Sequence, residues 1–344
     1  MAWMAAMMRN EWIPWTDHAG RFSPLKAAVF AFALYPALWL ALRWGMADLG
    51  PRPLTEAIHR SGDWAVRFLV FSLAVTPARA VLDWARILLV RRILGVAAAL
   101  YALLHLLLYV ADQKWNLFTV ASEIVLRFYL TVGFVAVLGL AALAWTSTDG
   151  WQKRLRQRWK ALHRWAYALA VLALFHYALQ AKVNASDAVF WFGIFAWLML
   201  WRALKRPGLW RLAALAPAAA LITAVTEVAW YGLATKVPYT RVLNANLGFD
   251  PWGRPASQVL LLGLLVVVLA AARKRFFFEK RTKKLLHLCA RASHGAKVVK
   301  SFCFFFFRKR RLLLKGSPPP PSPRPHAPPP SPCATPWRSC RTRR

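Results

Sequence analysis

Three histidines, His105, His163 and His176, lie inside long apolar segments of the chain. An imidazole is costly in hydrocarbon, so a histidine there is a candidate functional group unless a structural partner accounts for it. Neutral imidazole is a common iron ligand, and three such residues in apolar surroundings point to heme. The competing role is interhelical hydrogen bonding, which polar side chains perform in membrane bundles. Ligation is the stronger reading for two histidines at matched depth on two helices.

The elements that must carry these residues follow from hydropathy. Apolar stretches long enough to cross about 30 Å of hydrocarbon at about 1.5 Å per residue occur near 25–44, 64–82, 93–111, 124–146, 160–181, 187–204, 210–233 and 256–272. They predict an all-α, polytopic membrane helix bundle. The composition agrees, with 58% apolar residues among 344, a mean hydropathy of +0.37 and a formal charge of +34.

That charge is not spread evenly. It concentrates at Arg86, Arg91 and Arg92, at Lys153, Arg154, Arg156, Arg158 and Lys160, at Arg202, Lys205, Arg206 and Arg211, and from Arg273 onward. Basic clusters separated by apolar runs fit membrane topology and argue against nucleic acid as the partner. The rich connections follow the second, fourth, sixth and eighth spans, so both termini are expected in the cytoplasm. Trp12, Pro14 and Trp15 interrupt what would be the apolar core of a signal peptide, and residues 1–24 read as a cytoplasmic lead-in.

Depth divides the histidines. His105 lies about 13 residues beyond Arg92, roughly 20 Å toward the outer face. His176 lies 16 residues beyond the basic run ending at Lys160, at a matching depth on the outer side, whereas His163 sits at the cytoplasmic edge. His105 and His176 are therefore expected to face one another as the axial pair of a low-spin heme b, held between helices. His163 is expected to ligate a second heme, bind a quinone carbonyl or contact a flavin. Thirteen residues of straight helix put His163 and His176 about 140° apart, so a shared face requires a helix defect.

Other features carry less. Tyr101 and Tyr109 lie one turn either side of His105, and Gly95 and Ala97 to Ala99 are small enough to admit a flat macrocycle. His18 and His59 fall outside the apolar spans and are expected to be solvated, and Glu227 is expected near an interface. All four cysteines, Cys289, Cys303, Cys333 and Cys340, fall after the last span, so no thiolate or disulfide framework supports the apolar part. No nucleotide-binding glycine motif occurs, so electrons from a nicotinamide donor would arrive through another protein. From Arg273 the chain turns basic and proline-rich. It reads either as a disordered tail holding to lipid headgroups or as an out-of-frame read-through, and no chemistry is assigned to it.

Arg91-Arg92-Ile93-Leu94-Gly95 with Tyr101, Ala102, Leu104, His105 and Tyr109 resembles a signature of the MsrQ (YedZ) family, within the ferric-reductase-like transmembrane superfamily. Further matches are Ala74-Val75-Thr76-Pro77, Thr131-Val132-Gly133-Phe134, Thr146-Ser147-Thr148 with Gly150-Trp151, Arg158-Trp159-Lys160, Leu162-His163-Arg164, Tyr167 and His176. The ordered set covers roughly residues 60–206. The resemblance implies that His105, His163 and His176 are heme-iron ligands and that one or two hemes b bind, with FMN and ubiquinone as further cofactors. It also implies a bacterial inner-membrane protein passing electrons from a cytosolic flavin reductase or quinol to a periplasmic molybdopterin-containing methionine sulfoxide reductase, on which sulfoxide reduction itself would occur. A ferric-reductase-like protein serving a small acceptor, and a non-redox transporter or structural subunit, are the alternatives.

Two departures stand out. Phe128 follows Arg127 where the family motif usually has proline, and an extra segment, 207–272, follows the core. The expected organisation is thus a lead-in at 1–24, a six-helix heme-binding core at 25–206, two added helices at 207–272 and the tail at 273–344. The basic run Lys153 to Lys160 either docks an acidic flavoprotein or flavin phosphate, or only enforces topology.

Overall fold

A computed structural model describes residues 15–16, 21–181, 184–204, 208–235 and 237–292, with backbone only over 274–292. His18 and the tail from Ser293 lie outside the described residues, as do the lead-in up to Pro14 and Lys182, Lys205, Arg206 and Lys236. Among the described residues the structure is helical, with one isolated bridge, Thr16 to Phe22, and no strand. The chain forms a polytopic helix bundle, as its hydropathy predicts.

The helices are α1 (Pro24–Gly45), α2 (Pro53–Leu82), a 3-10 turn (Ala85–Val90) running into α3 (Arg91–Asp112), α4 (Leu117–Leu126), α5 (Phe128–Trp145), α6 (Asp149–Leu155), α7 (Gln157–His163), α8 (Ala166–Gln180), α9 (Ser186–Ala203), α10 (Leu209–Ala234), α11 (Tyr239–Leu247) and α12 (Pro255–Ala292). Among the described residues six segments are long and apolar enough to cross a membrane: α1, α2, 85–112, α5, α10 and 255–273. Of the eight expected spans, the two remaining are α8, which is only 15 residues long, and α9, which carries three tryptophans with Asp187 and Arg202. Both nevertheless contribute buried residues to the same core, through Leu169, Ala170, Leu174, Ile194, Phe195 and Leu198. Helix α12 continues past the boundary expected at 272.

Prolines inside the helices explain several long-range contacts. Pro36 cannot donate into the ladder of α1, and a helix opens at such a residue. There the Tyr101 hydroxyl inserts itself, accepting from Ala37 N at 2.8 Å and donating to the Ala33 carbonyl at 2.9 Å. Pro77 likewise orphans the carbonyl four residues earlier, Leu73, and the Arg202 guanidinium donates to it at 2.6 Å. Arg202 also lies over the Tyr167 ring at 5.1 Å, so one cation ties α2, α8 and α9 together. Ala97, Ala98 and Ala99 are buried in the main core, where α2 packs most extensively on α3. Small side chains let the two backbones approach.

Two expected spans are broken. The segment 124–146 divides at Arg127, whose extended backbone (φ −106, ψ 103) ends α4 and begins α5. The turn therefore forms without the proline. The Arg127 carbonyl starts the new helix by accepting from Leu130 N and Thr131 N. The segment 160–181 divides at Arg164 and Trp165, where Arg164 N, Trp165 N and Tyr167 N all donate three residues back. Such tightening changes the rotation per residue and so re-aims everything beyond it.

Candidate cofactor site

The break between α7 and α8 settles how His163 and His176 relate. Both rings face α5, at opposite ends of it. His176 Nδ1 donates to the Tyr129 carbonyl at 2.8 Å, near the start of α5. His163 Nε2 lies 3.2 Å from Ser147 Oγ, just past its end. The helix defect that a shared face requires is this short turn.

His105 meets His176 from the other side of a cavity. On α3, His105 Nδ1 donates to the Ile58 carbonyl of α2 at 2.8 Å. Each of the two rings thus spends its Nδ1 proton on a backbone carbonyl, which fixes the tautomer and leaves Nε2 as the unprotonated nitrogen available to a metal. The ring centroids are 6.2 Å apart with planes at 81°. Imidazole-to-metal bonds of about 2.0–2.1 Å on each side of a shared ion, as found for zinc, put two opposed ring centroids about 6 Å apart. At this separation both imidazoles could reach a single metal ion.

Glycine makes room for both rings. A Cβ at Gly133 of α5 would stand 2.6 Å from His176 Cε1, and one at Gly62 of α2 would stand 3.0 Å from His105 Nδ1. Any larger residue would have to displace the imidazole. Between the rings lies a cavity of about 390 Å³, within the range of cofactor and ligand sites. Its walls include Ala65, Val66, Leu69, Ala102, Val137 and Ala173, while Asp63, Tyr177, Gln180, Asn184 and Asp187 form a polar end. The apolar part of this lining suits a flat macrocycle. Asp63, Tyr177, Arg67 and Asp187 lie near enough to one another to interact electrostatically.

His163 is built differently. Its ring stacks on Trp159 at 3.9 Å and 26°, and its Nδ1 donates to the Trp159 carbonyl at 3.2 Å. Ser147 has one hydroxyl proton for two acceptors, His163 Nε2 and the Leu143 carbonyl at 2.7 Å. One of these contacts lacks a proton unless the ring carries both of its own. Ligation by His163 would require Nε2 to leave Ser147.

Several expectations are corrected by this geometry. Tyr101 points away from the cavity into the kink of α1, although Tyr109 does line the cavity. Gly95 and Ala97 to Ala99 do not line it and serve helix packing, whereas Ala102 does line it. Glu227 is buried, 1% exposed, with one carboxylate oxygen 3.3 Å from Arg254 and the other without a hydrogen-bond partner among the described residues. His59 is exposed, as expected, at the cavity mouth. Gly62 and Asp63 were missed because Ser61-Gly62-Asp63 reads as a polar connection. The helical signal that covers them is Pro53 at the first position of α2 with the Glu56–Arg60 pair one turn on.

Comparison with known proteins adds an independent line. Residues 61–174 match the model of a family described as ferric reductase like transmembrane component, and this segment contains all of His105, His163 and Gly133 and stops two residues before His176. The chain is 41% identical over 185 residues to the protein-methionine-sulfoxide reductase heme-binding subunit MsrQ of Rhodospirillum rubrum, covering 53% of this chain and 86% of that protein. It is 39% identical over 188 residues to the MsrQ of Xanthomonas campestris, with 53% and 86% covered. With that of Xanthomonas oryzae it shares 37% identity over 190 residues, with 55% and 84% covered. No solved structure matches the chain.

Proposed function

The chain belongs to the MsrQ family of heme-binding membrane subunits, and from that premise we propose that it carries electrons across a membrane through heme held between His105 and His176. The observation that carries this reading is the pair itself: two buried imidazoles at 6.2 Å, each with Nδ1 committed to a carbonyl. Held by His105 and His176, heme b would supply a one-electron carrier suited to electron transfer. The protein's part is to fix the tautomer of the two imidazoles through the Ile58 and Tyr129 carbonyls and to surround the slot with apolar side chains.

By the positive-inside asymmetry, the His105–His176 end faces the periplasm and His163 lies on the cytoplasmic side of a bacterial inner membrane, with both termini cytoplasmic. On this reading His163 serves the electron entry side, as ligand of a second heme or as a contact for FMN or ubiquinone, after release from Ser147. The donor is a cytosolic flavin reductase or quinol, and the basic surface of α6 and α7 is suited to steering an acidic flavoprotein. The acceptor is a periplasmic molybdopterin-containing methionine sulfoxide reductase, where sulfoxide reduction takes place. Residues 25–206 form the heme-binding core and 207–272 an added pair of helices.

The dithionite-reduced optical spectrum of the purified protein tests this. A bis-histidine α-band, lost in both His105→Ala and His176→Ala, is expected. A folded protein that remains colourless after heme reconstitution would overturn the reading. The match to the ferric-reductase-like family favours one second reading, reduction of a small acceptor. Reoxidation of the reduced heme by ferric chelates alone, and not by a periplasmic molybdoenzyme with sulfoxide, would establish it instead.

A further inference from the structure

Helix α4 does not cross the membrane. Its 10 residues rise about 15 Å, half the hydrocarbon thickness, and it sits between the last residue of α3 and the first of α5 at the His105–His176 end of the bundle. At about 100° per residue, Leu117, Phe118, Val120, Ala121, Ile124 and Val125 fall on one arc of roughly 160°, with Thr119, Ser122 and Glu123 opposite. Only one edge of that arc is used by the bundle. Val120 is buried and Ile124 lines the histidine cavity, whereas Leu117, Phe118 and Val125 are 68%, 84% and 78% exposed.

We propose that this open edge of α4 is seated in the headgroup–acyl boundary of the membrane, so that a lipid surface is its partner. The exposed edge carries no charged side chain, whereas surfaces that receive soluble proteins are about as polar as the rest of a protein exterior. It is continuous with the lipid-facing belt of the bundle through Phe128 and Leu107, 66% and 55% exposed on two of the apolar spans. Trp115, 65% exposed, precedes the helix, where an amphipathic ring belongs in a membrane interface. The polar edge is satisfied locally: Asn116 caps the helix by accepting from Thr119 N at 3.1 Å, and Glu123 pairs with Arg127 at 2.6 Å.

The seating has a consequence for the cavity, whichever cofactor it holds. The Thr131 hydroxyl of α5 donates to the Ile124 carbonyl at 2.5 Å, so α4 is fixed to the helix that carries Gly133 and Tyr129. One edge of α4 closes the cavity while the other rests in lipid. The membrane thus forms part of the support of the site.

Spin-label accessibility in lipid nanodiscs tests the proposal. Cys289, Cys303, Cys333 and Cys340 are changed to Ser in the full chain, and a nitroxide is attached in turn at Phe118→Cys, Lys114→Cys and Leu138→Cys. Leu138, 53% exposed in the middle of α5, is the lipid reference and Lys114 the aqueous one. Low accessibility of the Leu138 label to a water-soluble nickel chelate certifies an intact bundle in each preparation. The Phe118 label is expected to resemble Leu138, with high oxygen and several-fold lower nickel accessibility than Lys114. Nickel accessibility at Phe118 equal to that at Lys114 would overturn the proposal, and so would protection from both reagents, which would place protein on this face.

Discussion

Replacing Gly133 by Ala tests the geometry of the histidine pair by the smallest possible change. The added methyl would stand 2.6 Å from His176 Cε1, 2.7 Å from Nδ1 and 3.0 Å from Nε2, against 3.4–4 Å for ordinary contact. The ring must retreat by about 1 Å, which exceeds the roughly 0.5 Å within which a functional constellation keeps its geometry. Since its Nδ1 is held by the Tyr129 carbonyl, retreat costs that hydrogen bond as well. Overpacking of this kind costs about 1–3 kcal/mol, equivalent to roughly 5- to 150-fold weaker retention of a group bound by the pair. Gly62→Ala is milder, because its methyl would stand 3.0 Å from His105 Nδ1, and Gly95→Ala meets nothing within 4 Å. The heme-to-protein ratio and reduced α-band, measured during titration with a heme-scavenging apoprotein, should therefore fall in the order Gly95, Gly62, Gly133. Wild-type retention in Gly133→Ala would refute the claim that His176 is placed by its contact with Gly133.

Four further outcomes follow from contacts away from the cavity. Tyr101→Phe removes the hydroxyl that serves both Ala37 N and the Ala33 carbonyl, so thermal unfolding in nanodiscs should show a loss of about 1–3 kcal/mol with an unchanged reduced spectrum. Ser147→Ala should leave the heme content of the His105–His176 pair intact and lower stability by about 0.5–1.5 kcal/mol, read by the same unfolding assay. Arg254→Ala leaves the buried Glu227 carboxylate without its cation and should cost about 3–5 kcal/mol. The exposed pair Arg60–Glu56, removed by Arg60→Ala, should cost about 0–1 kcal/mol in the same unfolding assay.

Much of this was legible in the sequence because hydrocarbon imposes length and polarity limits that local composition must obey. The paired depth of His105 and His176 followed from counting residues from Arg92 and Lys160. What was not legible depends on contacts distant in sequence or on local backbone choices. The role of Tyr101 cannot be read without its partner Pro36 on another helix. The extended backbone at Arg127 needs no proline to form, and Arg164-Trp165 contains no residue that breaks helices by type, so hydropathy ran through both breaks. Gly62 and Asp63 were hidden because α2 extends about a turn and a half of polar residues beyond its apolar part, held by local ion pairing and its proline start.

The short turn at Arg164 and Trp165 gives α5 the task of spacing the two ends of the molecule. Tyr129 near the start of α5 and Ser147 two residues past its end, the contacts of His176 and His163, are eighteen positions apart, roughly 27 Å at the helical rise of about 1.5 Å per residue. A residue inserted within α5 would shift one contact against the other by about 1.5 Å and swing it by about 100°. The same insertion at the turn between α7 and α8 falls where rotation is already absorbed. Tolerance to insertion should thus separate a ruler from a joint, and the ruler is the helix that bears neither histidine.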